Sequence, residues 1–345
     1  MKIAVLAPIA WRTPPVKYGP WEQVASNIAE GLVERGMEVT LFATGNSSTK
    51  GNLEFVSETA YAENPELDAK VWECLHISHL MEQADKFDII HNHFDFLPLS
   101  YSRLIKTPMV TTIHGFSSPK IIPVYKKYNP WNHYVSISNS DRSPELRYAA
   151  TVYNGLNVGE FTFQPMPKEY LLFFGRIHPE KGTYEAIQIA KKTGRQLVIS
   201  GLVQDEGYFN AKVKPYINDR DIVYAGNSNR EQRDALLGEA YALLHPINFK
   251  EPFGLSVAEA MLCGTPVIAF NIGAMPELIV DGKTGFLVTT IEEAAEAVGK
   301  VGSIDRNACR AWALSQFSRE RMIDGYLGVY DGVVSDPFDR PRVTY

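Results

Sequence analysis

The sequence predicts an α/β protein made of two doubly wound parallel-sheet domains, and three observations predict it. The first is length: 345 residues exceed what one hydrophobic core usually supports, roughly 250–300 residues. The second is an alternation of short β-rich apolar runs with amphipathic helical stretches, which implies parallel strands with helices on both faces. The third is an interruption at Phe163-Gln164-Pro165-Met166-Pro167, where two prolines break the periodicity before the alternation starts again.

The elements follow in order. Residues 2–7 form an apolar run that stops at Pro8, which suits a buried first strand better than a signal peptide or a membrane span. A loop leads to a helical stretch over 21–35, with Gly36 as its C-cap. Strands are expected at 39–42, 89–92, 109–113, 134–137 and 151–153, with helices between some of them. After the prolines come strands at 171–174, 197–200, 222–224, 242–245, 267–270 and 286–288. Helices near 184–193, 208–217, 231–239 and 257–263 separate them, and a last long helix covers about 319–334. The tail 336–345, with Pro337 and Pro341, is expected to be extended. The domains so defined are 1–163 and 168–318, with 319–345 as a helix and tail that packs back on the first. Ligands of such domains bind beyond the carboxyl ends of the strands, so the cleft between the two carboxyl edges is the expected site.

Composition narrows the function classes. The formal net charge of −6 argues against nucleic acid as the main partner, because phosphate backbones want a basic face. The apolar runs are far too short to cross a bilayer, and a cytoplasmic protein is expected. Cys74, Cys263 and Cys309 are widely spaced and form no CxxC pair, so they read as small, partly buried side chains, with no zinc site or disulfide framework. A nicotinamide-dependent dehydrogenase would carry Gly-x-Gly-x-x-Gly after its first strand; Ala7-Pro8-Ile9-Ala10 stands there instead.

The densest chemical signal is Glu251-Pro252-Phe253-Gly254-Leu255-Ser256-Val257-Ala258-Glu259, a loop that runs into a helix. Gly254 lets backbone approach a ligand, and the first amides of the helix, at Leu255 and Ser256, suit a phosphate. Glu251 is placed to accept from sugar hydroxyls, and Glu259, one to two turns into the helix, from the two hydroxyls of a ribose. A second signal is Gly175-Arg176-Ile177-His178-Pro179-Glu180-Lys181-Gly182, directly after a strand. Arg176 and Lys181 could both face the strand's carboxyl end, as fixed cations.

At these residues the chain resembles the family 4 glycosyltransferases, whose signature is two glutamates separated by seven residues in this local context. The resemblance continues through Gly264-Thr265-Pro266-Val267-Ile268-Ala269 and Gly273-Ala274-Met275-Pro276-Glu277-Leu278-Ile279, and on through Asp281-Gly282-Lys283-Thr284-Gly285-Phe286-Leu287-Val288. It implies the GT-B fold of two Rossmann-like domains. It also implies transfer of a sugar from a nucleotide diphosphate donor, UDP- or GDP-hexose, to a hydroxyl acceptor, with retention at the anomeric carbon and no bound metal or other cofactor. Arg176 and Lys181 then serve the diphosphate, and Gly175, Glu251, Phe253, Gly254, Leu255, Ser256 and Glu259 complete the donor site. No first-domain carboxylate is placed by motif as a nucleophile, so the resemblance implies a same-face dissociative route rather than the double displacement of retaining glycosidases.

The first domain carries the remaining site residues. In the family a paired-glycine loop follows the first strand; here Gly19 matches, and Pro20 replaces the second glycine. Proline offers no N–H to a phosphate and restricts Gly19, but suits the first helical position. Gly19 is kept as a donor contact. Trp21 and Glu22 are read as acceptor contacts, with structural capping as their alternative. Asp88-Ile89-Ile90-His91-Asn92-His93 and Thr111-Thr112-Ile113-His114-Gly115 each end a strand. The resemblance puts His114 beside the transferred sugar and His93 on the acceptor side; core or capping histidines are the alternative. No carboxylate or cysteine completes a metal ligand set around them. Asn154-Gly155 reads as a structural turn. The other function classes weighed are a nucleotide-sugar epimerase or phosphorylase of the same fold, and a non-catalytic nucleotide- or sugar-binding module. The base, the sugar, the acceptor and the oligomeric state are not encoded in any motif.

Overall fold

Seven short parallel strands come first in the chain: β1 (Lys2–Leu6), β2 (Glu38–Phe42), β3 (Asn52–Glu54), β4 (Ile89–Asn92), β5 (Met109–Ile113), β6 (Asn132–Ser136) and β7 (Tyr148–Thr151). The structure is a computed structural model, and it describes residues 1–116 and 118–335. The strands are ordered β3-β2-β1-β4-β5-β6-β7, with Ala4 in register with Thr40 on one side and Ile90 on the other. Ile3, Ala4, Val5 and Leu6 are all fully buried, as a central strand covered on both faces requires. Helices α1 (Pro20–Glu34), α2 (Ala69–Met81) and α3 (Ile122–Tyr128) lie among them in sequence. Pro20 is the first residue of α1, where its missing N–H costs little, and Gly19 is the N-cap at φ 148°.

The second sheet has six parallel strands, β8 (Leu171–Phe174), β9 (Leu197–Ser200), β10 (Ile222–Gly226), β11 (Ala242–His245), β12 (Val267–Phe270) and β13 (Gly285–Val288), in the order β10-β9-β8-β11-β12-β13. Its helices are α4 (Thr183–Thr193), α5 (Glu206–Tyr208), α6 (Arg230–Glu239), α7 (Leu255–Leu262), α8 (Met275–Leu278), α9 (Ile291–Lys300) and α10 (Arg306–Phe317). The helix expected over 208–217 is broken: α5 gives way to a wide turn at Phe209–Val213 and a tight one at Lys214–Tyr216. Pro215 accounts for the break, since it has no N–H to continue an α-helical ladder.

The last helix, α11 (Arg319–Ser335), returns to the first sheet. Unit 1 is therefore 1–156 together with α11, and unit 2 is Asn157–Ser318. Gly31 in α1 gives α11 its seat: a Cβ there would stand 2.5 Å from Cγ1 of Ile323. The join between units lies at Leu156–Asn157, ahead of the two prolines read as a linker. The segment around them is tied to unit 2 instead. The Gln164 amide donates to the Cys263 carbonyl at 3.0 Å, and Arg306 Nε donates to the Gln164 carbonyl at 2.7 Å. The tail 336–345 lies outside the described residues. Among those described, no helix is long and apolar enough to cross a membrane. Cys263 and Cys309 are buried, whereas Cys74 is exposed on the outer side of α2, contrary to its reading as partly buried.

Each sheet has one switch point, β1/β4 in unit 1 and β8/β11 in unit 2, where the strand order reverses. Loops leaving the carboxyl ends of those strand pairs diverge and open a crevice. Gly19, Trp21 and Glu22 follow β1, His93 follows β4, Arg176 and Lys181 follow β8, and Glu251 and Glu259 follow β11, whereas His114 follows the neighbouring β5.

Candidate active site

In unit 2, β8 leads into Gly175–Gly182 and β11 leads into Pro246–Gly254, so the two loops emerge side by side at the switch point. They are stitched together by the Asn248 amide, which donates to the Glu180 carbonyl at 2.7 Å. This brings Lys181 and Glu251, 70 residues apart in sequence, into a direct ion pair in which both side chains are largely shielded from solvent. Lys181 Nζ also stands 4.7 Å from the centre of the Phe249 ring, a cation–π contact. Arg176, on the same β8 loop, donates to the Gln204 side chain.

The helix that follows Glu251 begins at Leu255, with Gly254 as N-cap at φ 98° and no side-chain cap. Only glycine takes that backbone conformation freely, and a Cβ would stand 2.7 Å from Cε of Met275. Leu255 and Ser256 are the first two residues of α7, so their amides have no carbonyl four residues back within the helix. Phe253 is buried and meets Phe317 edge-on at 5.7 Å, which assigns its ring to the packing beneath the loop.

Glu259 is buried on α7 and takes a hydrogen bond from Arg233 Nη1 at 3.1 Å. Burial pushes its pKa up, the Arg233 cation opposes that, and Glu160 adds to it. Arg233 also reaches Glu160 at 3.4 Å, and Arg230 reaches the other oxygen of Glu160 at 3.4 Å. Arg233 and Glu160 belong to no motif singled out in the sequence; Arg233 lies on an ordinary polar helix face, and nothing local marks it.

His245, the last residue of β11, is a further residue that sequence reasoning left without a role. Its Nε2 lies 3.8 Å from Oε2 of Glu251 and has no hydrogen-bond partner. Burial lowers its pKa to about 4, with Glu251 opposing and Lys181 reinforcing the shift. The signal was positional: it is the final side chain of a switch-point strand, six residues before Glu251. His178, given no role, caps the turn Pro179–Lys181 by accepting from the Glu180 amide at 3.3 Å.

In unit 1, β4 and β5 carry three histidines toward their carboxyl ends. His93 Nδ1 and His114 Nε2 share a hydrogen bond of 2.9 Å, and Trp21 from α1 stacks on the His114 ring at 5.4 Å with 23° between planes. The structure thus brings Trp21, His93 and His114 together. His91 points into the unit, where Nε2 bonds the Thr112 hydroxyl at 2.8 Å and Nδ1 bonds the Tyr330 hydroxyl at 2.6 Å. Burial holds His114 at about 3 and His91 at about 3, with His114 adding to the shift of the latter. His93 is likewise pushed well down by burial, and by His91 and His114 after it. All three imidazoles are neutral near pH 7. Glu22 is buried beside the loop and accepts from the Trp11 amide at 3.2 Å. Burial raises its pKa to about 7, against its own amide and that of Trp11. Among the described residues, no group of three or more His, Cys, Asp or Glu side chains is placed to hold a metal ion.

The model of Glycosyltransferase Family 4 matches residues 21–152, and that of Glycosyl transferases group 1 matches residues 160–313. The chain belongs to this glycosyltransferase family and has its GT-B fold, one family model falling on each unit. Glycogen synthase of Mycobacterium tuberculosis is 24% identical over 92% of this chain and 90% of its own. The D-inositol 3-phosphate glycosyltransferase of Mycolicibacterium smegmatis is 30% identical over 59% of this chain and 50% of its own. Among solved structures, HepE of Anabaena in complex with UDP and glucose superposes with a TM-score of 0.73 at 19% identity, covering 95% of this chain and 98% of that one.

Proposed function

We propose that this glycosyltransferase takes a hexose from a nucleoside diphosphate sugar, UDP- or GDP-linked, and passes it to a hydroxyl acceptor with retention and without a resident metal. The observation that carries the reading is the meeting of Lys181 and Glu251 at the β8/β11 switch point, next to the uncapped start of α7. A diphosphate fits amides of Leu255 and Ser256 together with the Lys181 and Arg176 cations. Glu251 then faces the hexose hydroxyls and Glu259 the ribose, with Gly19, Gly175 and Gly254 admitting backbone close to the donor. HepE was solved with UDP and glucose, which favours a donor of this class.

In the proposed step the bond from the anomeric carbon to the phosphate oxygen breaks, and both electrons leave with the diphosphate. Lys181, Arg176 and the α7 amides stabilise that charge. The acceptor oxygen then bonds to the anomeric carbon on the face just vacated, and its proton passes to the departing phosphate oxygen. His114 is neutral, so it serves the electron-poor sugar as a dipole and not as an acid. Trp21, Glu22 and His93 are assigned to the acceptor side.

A thermal-shift panel of UDP, GDP and ADP with their hexose conjugates, without added metal, tests the reading. Donor at about 100 times its dissociation constant stabilises the protein by about 2.7 kcal/mol, and one base should stand out. Arg176→Ala with Lys181→Ala should abolish the shift. Absence of any shift at millimolar nucleotide defeats the donor assignment.

A further inference from the structure

Three side chains of unit 2 meet at one carboxylate oxygen, two of them converging on the third. Lys181 Nζ pairs with Oε2 of Glu251, and His245 Nε2 lies 3.8 Å from the same atom. Of the three, only the imidazole is left without a bond: His245 is 5% exposed and its Nε2 has no partner. We propose that Glu251 has two alternative partners, Lys181 in the ligand-free protein and His245 in the donor complex, so that His245 positions the carboxylate for the sugar once the diphosphate has drawn Lys181 away. This rests on the assignment of Lys181 to the diphosphate.

The argument is one of charge accounting. In the ligand-free site the cation meant for the phosphates and the carboxylate meant for the sugar neutralise each other. A diphosphate carries more charge than one carboxylate and takes the ammonium, whose four-carbon stem is flexible. The Glu251 main chain is held in place, its carbonyl accepting from the Ala274 amide at 3.0 Å, so its carboxylate stays within side-chain reach of this loop. Its shielded carboxylate would be left uncompensated, a costly state. The unused polar atom nearest to hand is His245 Nε2, and a shift of about 1 Å brings it to hydrogen-bond distance.

The exchange has a proton consequence. Glu251 and Lys181 are the charged groups that act on the His245 imidazole. Glu180, on the Lys181 turn, directs its carboxylate to His178 at 3.5 Å, and the β12 register partner of His245 is Ala269. With the ammonium gone and the carboxylate remaining, the imidazolium form gains, and the pKa held near 4 rises. His245 thus acts through Glu251 and is a positioning residue.

Ring-15N histidine NMR on the intact protein tests this, with the His245 signal identified by its loss in His245→Gln. In Lys181→Met without ligand, the His245 titration midpoint should rise by at least one pH unit over wild type. In wild type, saturation with the nucleotide sugar picked out by the thermal-shift panel should move it the same way. Calorimetry of that sugar at pH 6 in two buffers of different ionisation enthalpy should show proton uptake that His245→Gln loses. An unmoved midpoint in Lys181→Met, or donor binding that leaves His245 unchanged, overturns the proposal. A raised midpoint in Lys181→Met, together with a wild-type protein that binds none of the nucleotide sugars in the thermal-shift panel, overturns the diphosphate assignment, and the exchange with it, while the coupling of the three side chains stands. Should Lys181→Met not fold, the calorimetric comparison of wild type with His245→Gln decides alone.

Discussion

Glu22 is a carboxylic acid inside the first turn of α1, only 3% exposed, with a folded-state pKa raised to about 7 from an ordinary 4.5. The native protein therefore keeps a proton that the unfolded chain has already released. Its contribution to stability is full below pH 4.5 and is lost as pH rises through 7. The full span of that shift corresponds to about 3 kcal/mol. Glu22→Gln keeps an oxygen for the Trp11 amide and removes the titration. It should raise the melting temperature at pH 8 and leave it nearly unchanged at pH 4.5. Equal effects at both values would mean that Glu22 is ionised in the fold. A stably folded Glu22→Gln variant also separates the capping reading of this residue from the acceptor reading, because only the second predicts a change in acceptor KM.

At the scale of elements, α1 and α11 meet at a glycine. A Cβ at Gly31 would approach Ile323 Cγ1 to 2.5 Å and Cδ1 to 2.8 Å, too close for either atom to stay. Gly31→Ala should cost about 1–3 kcal/mol by overpacking. Adding Ile323→Ala should recover part of that loss, a coupling measurable by a double-mutant cycle in denaturant; strict additivity would show that the helices do not press there. Nothing in the local sequence marks Gly31, since its reason lies nearly 300 residues away. Most strands were legible because buried parallel strands read as short unbroken apolar runs, as at Leu171–Phe174 and Val267–Phe270, whereas the half-exposed β7, expected at 151–153, lies at Tyr148–Thr151. Helix α2 was not, because its apolar residues face all round: Val71 and Leu75 are exposed while Ile77 and Leu80 are buried. Its one local signal is the Asp68 N-cap, which accepts from the Lys70 and Val71 amides. The three-residue β3 is too short to carry a period. In the site, the two motif loops could be read separately, but their pairing through Lys181, Glu251 and His245 is a property of strand order, which no spacing along the chain records.

Across the whole molecule, the chain builds unit 1 from two distant pieces and unit 2 from one. Unit 1 depends on the later piece to a degree that can be counted. Met322, Ile323, Tyr326 and Tyr330 of α11 are buried, and at about 1.5–3 kcal/mol for each large apolar side chain they supply about 6–12 kcal/mol. A domain's net stability is only about 5–15 kcal/mol. Removing α11 also takes the Tyr330 hydroxyl from His91 and the Tyr326 hydroxyl from Thr112, both buried. It frees the Gly155 amide, which donates to Met322 Sδ at 3.0 Å, and breaks the Arg35–Asp324 ion pair at 2.7 Å. A chain ending at Ser318 should therefore lose the fold of residues 1–156 while 157–318, with its own core and unbroken connectivity, persists. Hydrogen-exchange mass spectrometry should find protection gone from β1, β4 and β5 and retained in β8, β11 and β12. If the donor site lies wholly within unit 2, the truncated protein should still be stabilised by the nucleotide that stabilises the full chain. Protection surviving in β1, β4 and β5 would show that α11 is dispensable to the first sheet. Lost nucleotide stabilisation, with β8 and β11 still protected, would show that donor binding needs groups from unit 1, with Gly19 the first to examine.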